Sequence, residues 1–123
     1  SLGREAATGL GVIYATEKAL EKLQMKISDC TMAIQGFGKV GMYAAIEGYA
    51  KGARVLAVSD VSGGLYNERG INIAELTRYV KEKKTIKDFP EAQPVSNEEL
   101  LTLKVDVLAP CALEGVIHAG NAK

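Results

Sequence analysis

The chain has little of what several kinds of function require. Its 123 residues carry 15 Lys plus Arg and 15 Asp plus Glu, a formal net charge of zero. Such a balance supplies no global basic field, so neither nucleic acid nor an anionic membrane is an expected partner. No apolar run approaches the ~20 residues that a membrane-spanning helix needs. A single histidine, His118, and two distant cysteines, Cys30 and Cys111, show no CxxC or Cys–His spacing. These are too few ligands for a metal site, and the thiols read as the reduced cysteines of a cytoplasmic protein. His118 stands alone beside Ala119-Gly120 and reads as an exposed helix-end residue, not a proton shuttle. No signal peptide, internal repeat, low-complexity tract or linker is evident.

What is there is an ordinary globular composition, 47% hydrophobic and 24% charged, enough for one small domain with a core. Its most informative stretch is Gln35-Gly36-Phe37-Gly38-Lys39-Val40-Gly41. This follows a short apolar run, Thr31-Met32-Ala33-Ile34, and opens a helical run from Lys39 to Lys51. A second apolar run, Ala53 to Ser59, ends in Asp60. Strand, glycine turn, helix, strand and acid form the order of a dinucleotide-binding βαβ unit.

Each residue type has a physical role in that unit. Gly36 lets the chain turn sharply out of the strand, Gly38 lets a pyrophosphate approach the backbone, and Gly41 lets the helix pack closely on the strand. The helix start offers unpaired N–H groups and the positive end of its dipole to a phosphate. Asp60, 19 residues past Gly41, is placed to accept hydrogen bonds from the adenosine ribose. The bland alternative is a tight structural βα turn followed by a solvated acid.

Around this unit, the spacing of Ala6, Leu10, Ile13, Leu20 and Leu23 predicts a helix over Glu5–Lys22. Gly9 and Gly11 within it call for a close neighbour, either a strand or a ligand. Gly52 suits a helix C-terminus, and Val40, Ala44, Ala45 and Tyr49 are suited to packing on a sheet. Residues 60–70 read as turns around a short extended piece, Leu65-Tyr66. Asn72 caps a helix that buries Ile73, Leu76 and Val80, with Lys81 to Lys84 as its solvated end. Asp88 to Pro94 reads as loop. Ser96 and Glu99 form a capping-box signature before a short helix at Leu100–Leu103. A last strand, Val105–Ala109, ends at Pro110, and a short helix is expected at Leu113–His118.

Alternating elements of this kind predict an α/β fold: a Rossmann-type doubly wound, mostly parallel sheet. Thr31–Gln35 should be central, Arg54–Ser59 on one side and Val105–Ala109 on the other, across the switch point. Ala109, Pro110 and Cys111 would then border the cofactor crevice, or simply end a strand. Both chain ends read as cut, so the domain is expected to be incomplete at its C-terminal end. Val105–Ala109 would then be an open apolar edge through which copies of the chain could self-associate.

Four stretches resemble the glutamate dehydrogenase family: Ser1 to Gly9, Ile34 to Gly41, Val58 to Asn67, and Asp106 to Glu114. The Ser59-Asp60-Val61-Ser62-Gly63-Gly64-Leu65-Tyr66-Asn67 run favours the glutamate branch over leucine and phenylalanine dehydrogenases. The resemblance implies the nicotinamide-dinucleotide domain of an enzyme that oxidatively deaminates L-glutamate to 2-oxoglutarate and ammonia. It implies that Thr8 bonds the nicotinamide carboxamide and that Arg4 lies toward the substrate side. Phe37, Lys39 and Val40 would offer backbone N–H groups to the pyrophosphate. Lys39 departs from the asparagine common in the family, though a lysine there suits a pyrophosphate. The family's catalytic aspartate and substrate lysines would lie before Ser1, so no catalytic residue is assigned here. A homohexameric parent is implied as well.

Asp60 favours NAD, because a carboxylate pairs with ribose hydroxyls and repels a 2′-phosphate. Ser62 and the two following glycines could still supply donors to a phosphate, which leaves NADP or dual use open. A free-standing nucleotide-sensing module and a sister amino-acid dehydrogenase share every motif found.

Overall fold

A computed structural model describes residues 2–111; the expected helix Leu113–His118 lies outside the described residues. Five strands form one sheet, β1 (Thr31–Gln35), β2 (Arg54–Asp60), β3 (Gly63–Tyr66), β4 (Gln93–Val95) and β5 (Val107–Pro110), in the order β4-β3-β2-β1-β5. β1 runs parallel to β2 and to β5, and only β3 runs against the rest. The sheet is therefore mostly parallel, with β1 between β2 and β5 as the sequence implied. Val55 to Ser59 are all buried, as a parallel strand covered on both faces requires.

The helices α1 (Leu2–Lys22), α2 (Lys39–Ala50) and α3 (Ile73–Lys83) share one core with the sheet. Ile13 and Leu20 from α1, Ala44 and Ala45 from α2, and Ile73 and Leu76 from α3 meet Met32, Ile34, Val55 and Val58 there. The short helix α4 (Asn97–Leu101) covers the opposite face, where Leu100 packs on Ala33 and Ala57. Alternation along β1 sends Met32 and Ile34 one way and Ala33 the other.

The helix termini follow the capping chemistry of the sequence. Asn72 Oδ1 accepts the Glu75 N–H at 3.1 Å, and both halves of the Ser96–Glu99 box form, at 2.9 and 2.7 Å. The α4 helix starts earlier than Leu100, because the capping box fixes its first residue as Asn97. α3 is capped at its C-terminal end by Lys84, in the left-handed region at φ 66°.

Several expectations are corrected. Leu10 and Leu23 are 47% and 67% exposed. The buried face of α1 is centred on Gly9, where a Cβ would lie 2.7 Å from Tyr43 Cβ and 2.9 Å from the Val40 carbonyl. Neither a strand nor a ligand explains Gly9: it is the contact point of two helices, and their close crossing turns Leu10 outward. A Cβ on Gly11 would meet nothing within 4 Å. Tyr49 is 41% exposed at the far end of α2.

The segment read as loop before Pro94 ends in β4, a three-residue strand paired with β3. Its brevity and its proline hid it, yet an edge strand tolerates a residue without an N–H. β5 begins at Val107 and includes Pro110, opposite Gln35. Just before it, the Asp106 carboxylate accepts the Thr31 N–H at 2.9 Å and its own N–H donates to the Thr31 carbonyl at 3.1 Å. That pairing fixes the register of β1 and β5 at their starts.

Candidate functional site at the strand tips

The C-terminal ends of β1 and β2 are joined through Ser59, a buried residue of β2. Its carbonyl accepts the N–H groups of Gly36 at 3.0 Å and Phe37 at 2.5 Å, and its Oγ lies 3.2 Å from the Gly36 nitrogen. This tie holds the glycine turn over the sheet. Phe37 is core, 4% exposed, and its N–H faces Ser59. It therefore does not point to the crevice, and Lys39 and Val40 are left to present the first N–H groups of α2.

The three glycines of the turn are held there by different constraints. Gly36 has φ 92°, a conformation that L side chains rarely adopt. A Cβ on Gly41 would overlap the Gly36 carbonyl oxygen and press on Ile34 Cγ2 at 3.3 Å. Gly38 has no such reason: its φ is −88°, and a Cβ there would meet nothing within 4 Å. It caps α2 without a side-chain bond and faces open space at the positive end of a 12-residue helix.

The flanks of that space are also defined. The first half of α1 lies beside the start of α2 through Gly9, and Lys39 Nζ sits 3.9 Å from Glu5 Oε1 across this contact. Thr8 and Arg4 are on the exposed side of α1, and the Thr8 hydroxyl donates to the Arg4 carbonyl at 2.8 Å. The Thr8 oxygen keeps its lone pairs for a donor. On the other flank, Ala109 and Pro110 pair with Ile34 and Gln35, and the Cys111 N–H donates to the Gln35 carbonyl at 2.7 Å. β1 and β5 thus part company at the switch point, with Gly36–Gly38 on one lip and Pro110-Cys111 on the other.

Both thiols are buried and held toward their protonated form. Burial pushes Cys111 up to about 11. Cys30 is raised by burial first, then by the Asp106 and Asp29 carboxylates, and its Sγ donates to the Lys26 carbonyl at 3.3 Å. A protonated, buried thiol is a small packing group and not a nucleophile.

At the tip of β2, Asp60 is not a solvated acid. Its Oδ1 accepts both the N–H and the hydroxyl of Ser62, at 2.7 and 2.5 Å. Its Oδ2 accepts the Ile86 N–H at 3.2 Å and lies 3.5 Å from the Thr85 hydroxyl. The donors that Ser62 might have offered to a 2′-phosphate are therefore turned onto Asp60. Ser59, Thr85 and Ile86 were not singled out from the sequence. Only their geometry marks them, since Thr85 and Ile86 come 25 and 26 residues after Asp60.

Parallel strands joined through a glycine turn that opens a helix, in a mostly parallel five-stranded sheet, define an α/β class of protein. The whole chain, residues 1–123, matches the Glutamate/Leucine/Phenylalanine/Valine dehydrogenase family, and the chain belongs to it. It is 48% identical, across its full length, to the glutamate dehydrogenase of Thermotoga maritima, of which it spans 30%. Among solved structures, it is similar to the hetero-hexameric glutamate dehydrogenase of Thermus thermophilus in its leucine-bound form. That match has TM-score 0.80 and 28% identity, over 94% of this chain and 28% of the other. The Plasmodium falciparum glutamate dehydrogenase gives TM-score 0.78 and 28% identity, over 91% and 26%.

Proposed function

We propose that the chain is the dinucleotide-binding part of a glutamate dehydrogenase, and that the whole protein oxidatively deaminates L-glutamate to 2-oxoglutarate and ammonia. The observation that carries this reading is Gly38. Gly36 and Gly41 are required by sterics within the protein, whereas Gly38, the N-cap of α2, borders open space that a side chain would fill and a ligand could use. A pyrophosphate against the N–H groups of Lys39 and Val40 would use that space and the helix dipole together. Lys39 adds a nearby cation, shared with Glu5. Ala109, Pro110 and Cys111 would form the opposite wall, with Thr8 on the α1 side to bond the nicotinamide carboxamide and Arg4 toward the substrate side.

NAD is the favoured coenzyme, with dual use as the second reading, because Asp60 draws the Ser62 donors to itself. A bound coenzyme would supply the hydride acceptor for this oxidation. The residues described here bind and orient it, and substrate chemistry belongs to other parts of the protein. An oligomeric parent fits the same proposal, since the Thermus thermophilus relative is described as hetero-hexameric. So does a cytoplasmic setting, given two free, buried cysteines.

Calorimetric titration of the native protein and Gly38→Ala with NAD and NADP tests the reading. Gly38→Ala should cost no more than about 1 kcal/mol of stability, as for a poorer N-cap, and weaken NAD at least about tenfold, as for a pyrophosphate pushed off its N–H donors. Equal NAD binding by the two proteins would remove Gly38 as the evidence. No binding of either coenzyme by the native protein would end the proposal.

A further inference from the structure

The loop after α3 is built as carefully as the glycine turn, although nothing in the βαβ pattern calls for it. Ile86 and Phe89 are 1% and 4% exposed and anchor it in the core. The Tyr79 hydroxyl donates to the Lys87 carbonyl at 2.6 Å, and the Tyr79 and Phe89 rings meet edge to face at 5.3 Å. Thr85 Oγ1 accepts the Lys87 N–H at 3.1 Å, closing a tight turn around Ile86. The Ile86 N–H of this turn donates to Asp60 Oδ2 at 3.2 Å.

The two carboxylate oxygens are not equivalent. Oδ1 takes two short bonds from Ser62 and has both of its lone pairs engaged. Oδ2 holds one good bond, from Ile86, and one contact at the outer limit, from Thr85 at 3.5 Å. Oδ2 is therefore the oxygen that can receive a ribose hydroxyl, at the cost of the weakest contact in the cluster.

We propose that Thr85 is a positioning residue for the coenzyme: through the 85–87 turn and the Ile86 N–H it fixes Asp60 so that Oδ2 faces the adenosine ribose. The proposal rests on the coenzyme reading above and deepens it. Thr85 does not select the coenzyme by contact. It sets the orientation of the acid that does, and it makes NAD affinity depend on a loop 25 residues from the β2 tip.

The test uses the native protein with Thr85→Val, Thr85→Ser, Asp60→Ala and the Asp60→Ala/Thr85→Val pair, titrated with NAD and with NADP. Valine keeps the shape and removes the hydroxyl. Thr85→Val should weaken NAD about three- to tenfold, the loss of one modest hydrogen bond's effect. NADP affinity should stay within about twofold, because a 2′-phosphate cannot share the carboxylate. Thr85→Ser should restore NAD binding. In the Asp60→Ala background, Thr85→Val should have no further effect, as expected when one residue acts through another. Unchanged or tighter NAD binding by Thr85→Val overturns the proposal, and so does an equal loss for NAD and NADP or a full additional loss in the double variant. A native protein that binds NAD while Thr85→Val behaves like it removes only this inference. A native protein that binds neither coenzyme removes the functional reading and this inference with it.

Discussion

The tips of β1 and β2 face the same crevice but are built in opposite ways. At β1, the glycines answer local constraints: Gly36 is needed for a positive φ, and Gly41 for an approach to the Gly36 carbonyl five residues back, with the Ser59 tie added from β2. At β2, the key residue is held from afar, since Asp60 depends on Ser62 next to it and on Ile86 from beyond α3. A local constraint is written in the spacing of residues. A distant one exists only after the chain has folded. The first tip is therefore shaped by its own glycines and tied to the adjacent strand through Ser59, whereas the second also depends on the 85–89 loop staying seated.

That difference can be broken most forcefully at Gly41. Gly41→Val places a branched side chain where even a Cβ overlaps the Gly36 carbonyl. Backbone cannot yield there without losing the Ser59 tie, so the expected cost is about 4 kcal/mol or more, a large share of a small domain's stability. Urea unfolding should find the variant largely unfolded without denaturant. A midpoint near that of the native protein would mean that the turn relaxes freely.

Ile86→Ala probes the second tip by the same measurement. It empties a fully buried site and should cost about 2–4 kcal/mol. It should also loosen the Asp60 clamp, so that NAD affinity falls further than in a core variant of similar cost placed elsewhere, such as Leu100→Ala on the α4 face. Equal NAD losses in the two variants would place the loop outside the site.

How much of the molecule was legible follows from the same contrast. The order of β1, β2 and β5, the caps at Asn72 and Ser96, and the glycine turn were all readable, because each rests on residues within a few positions of one another. The buried face of α1 was misread because Gly9, not a large apolar residue, marks its centre, and only the partner helix explains why. β4 was hidden for a different reason: its three residues, two of them exposed, are too few to show alternation and gain their order from β3. At the site, Asp60 was legible as an acid but not as one already held by Ser62 and Ile86. Its partners Thr85 and Ile86 sit in a stretch whose sequence signals only a helix end.

Cys111 on the lip of β5 offers a milder probe of the first tip. Its thiol is raised from 9.0 to about 11 by burial, so the folded chain holds the proton more tightly than the unfolded one. The associated stability is fully present below about pH 9 and is lost as the pH rises through about 11. The native protein should therefore lose stability relative to Cys111→Ala across that window, and iodoacetamide should label Cys111 slowly until the pH nears the upper end. Labelling that rises around pH 9 would mean that the crevice wall opens in solution.

The smallest expected effect lies on α3, the helix that carries the chain to the Asp60 clamp. Thr8 and Thr16 on α1 each return their hydroxyl to a carbonyl four residues back, at 2.8 Å. Thr77 on α3 does not: among the described residues, its buried Oγ1 finds no partner. A hydroxyl left dry and unpaired costs more than a methyl in the same place. Thr77→Val keeps the branched shape that the helix already accommodates, so the protein should gain about 1 kcal/mol in urea unfolding. NAD affinity should not move, because the clamp is held by the loop beyond α3 and not by this hydroxyl. A loss of stability would show that Thr77 does find a hydrogen-bond partner in solution. A loss of NAD affinity would extend the second tip's dependence from the loop into the helix itself.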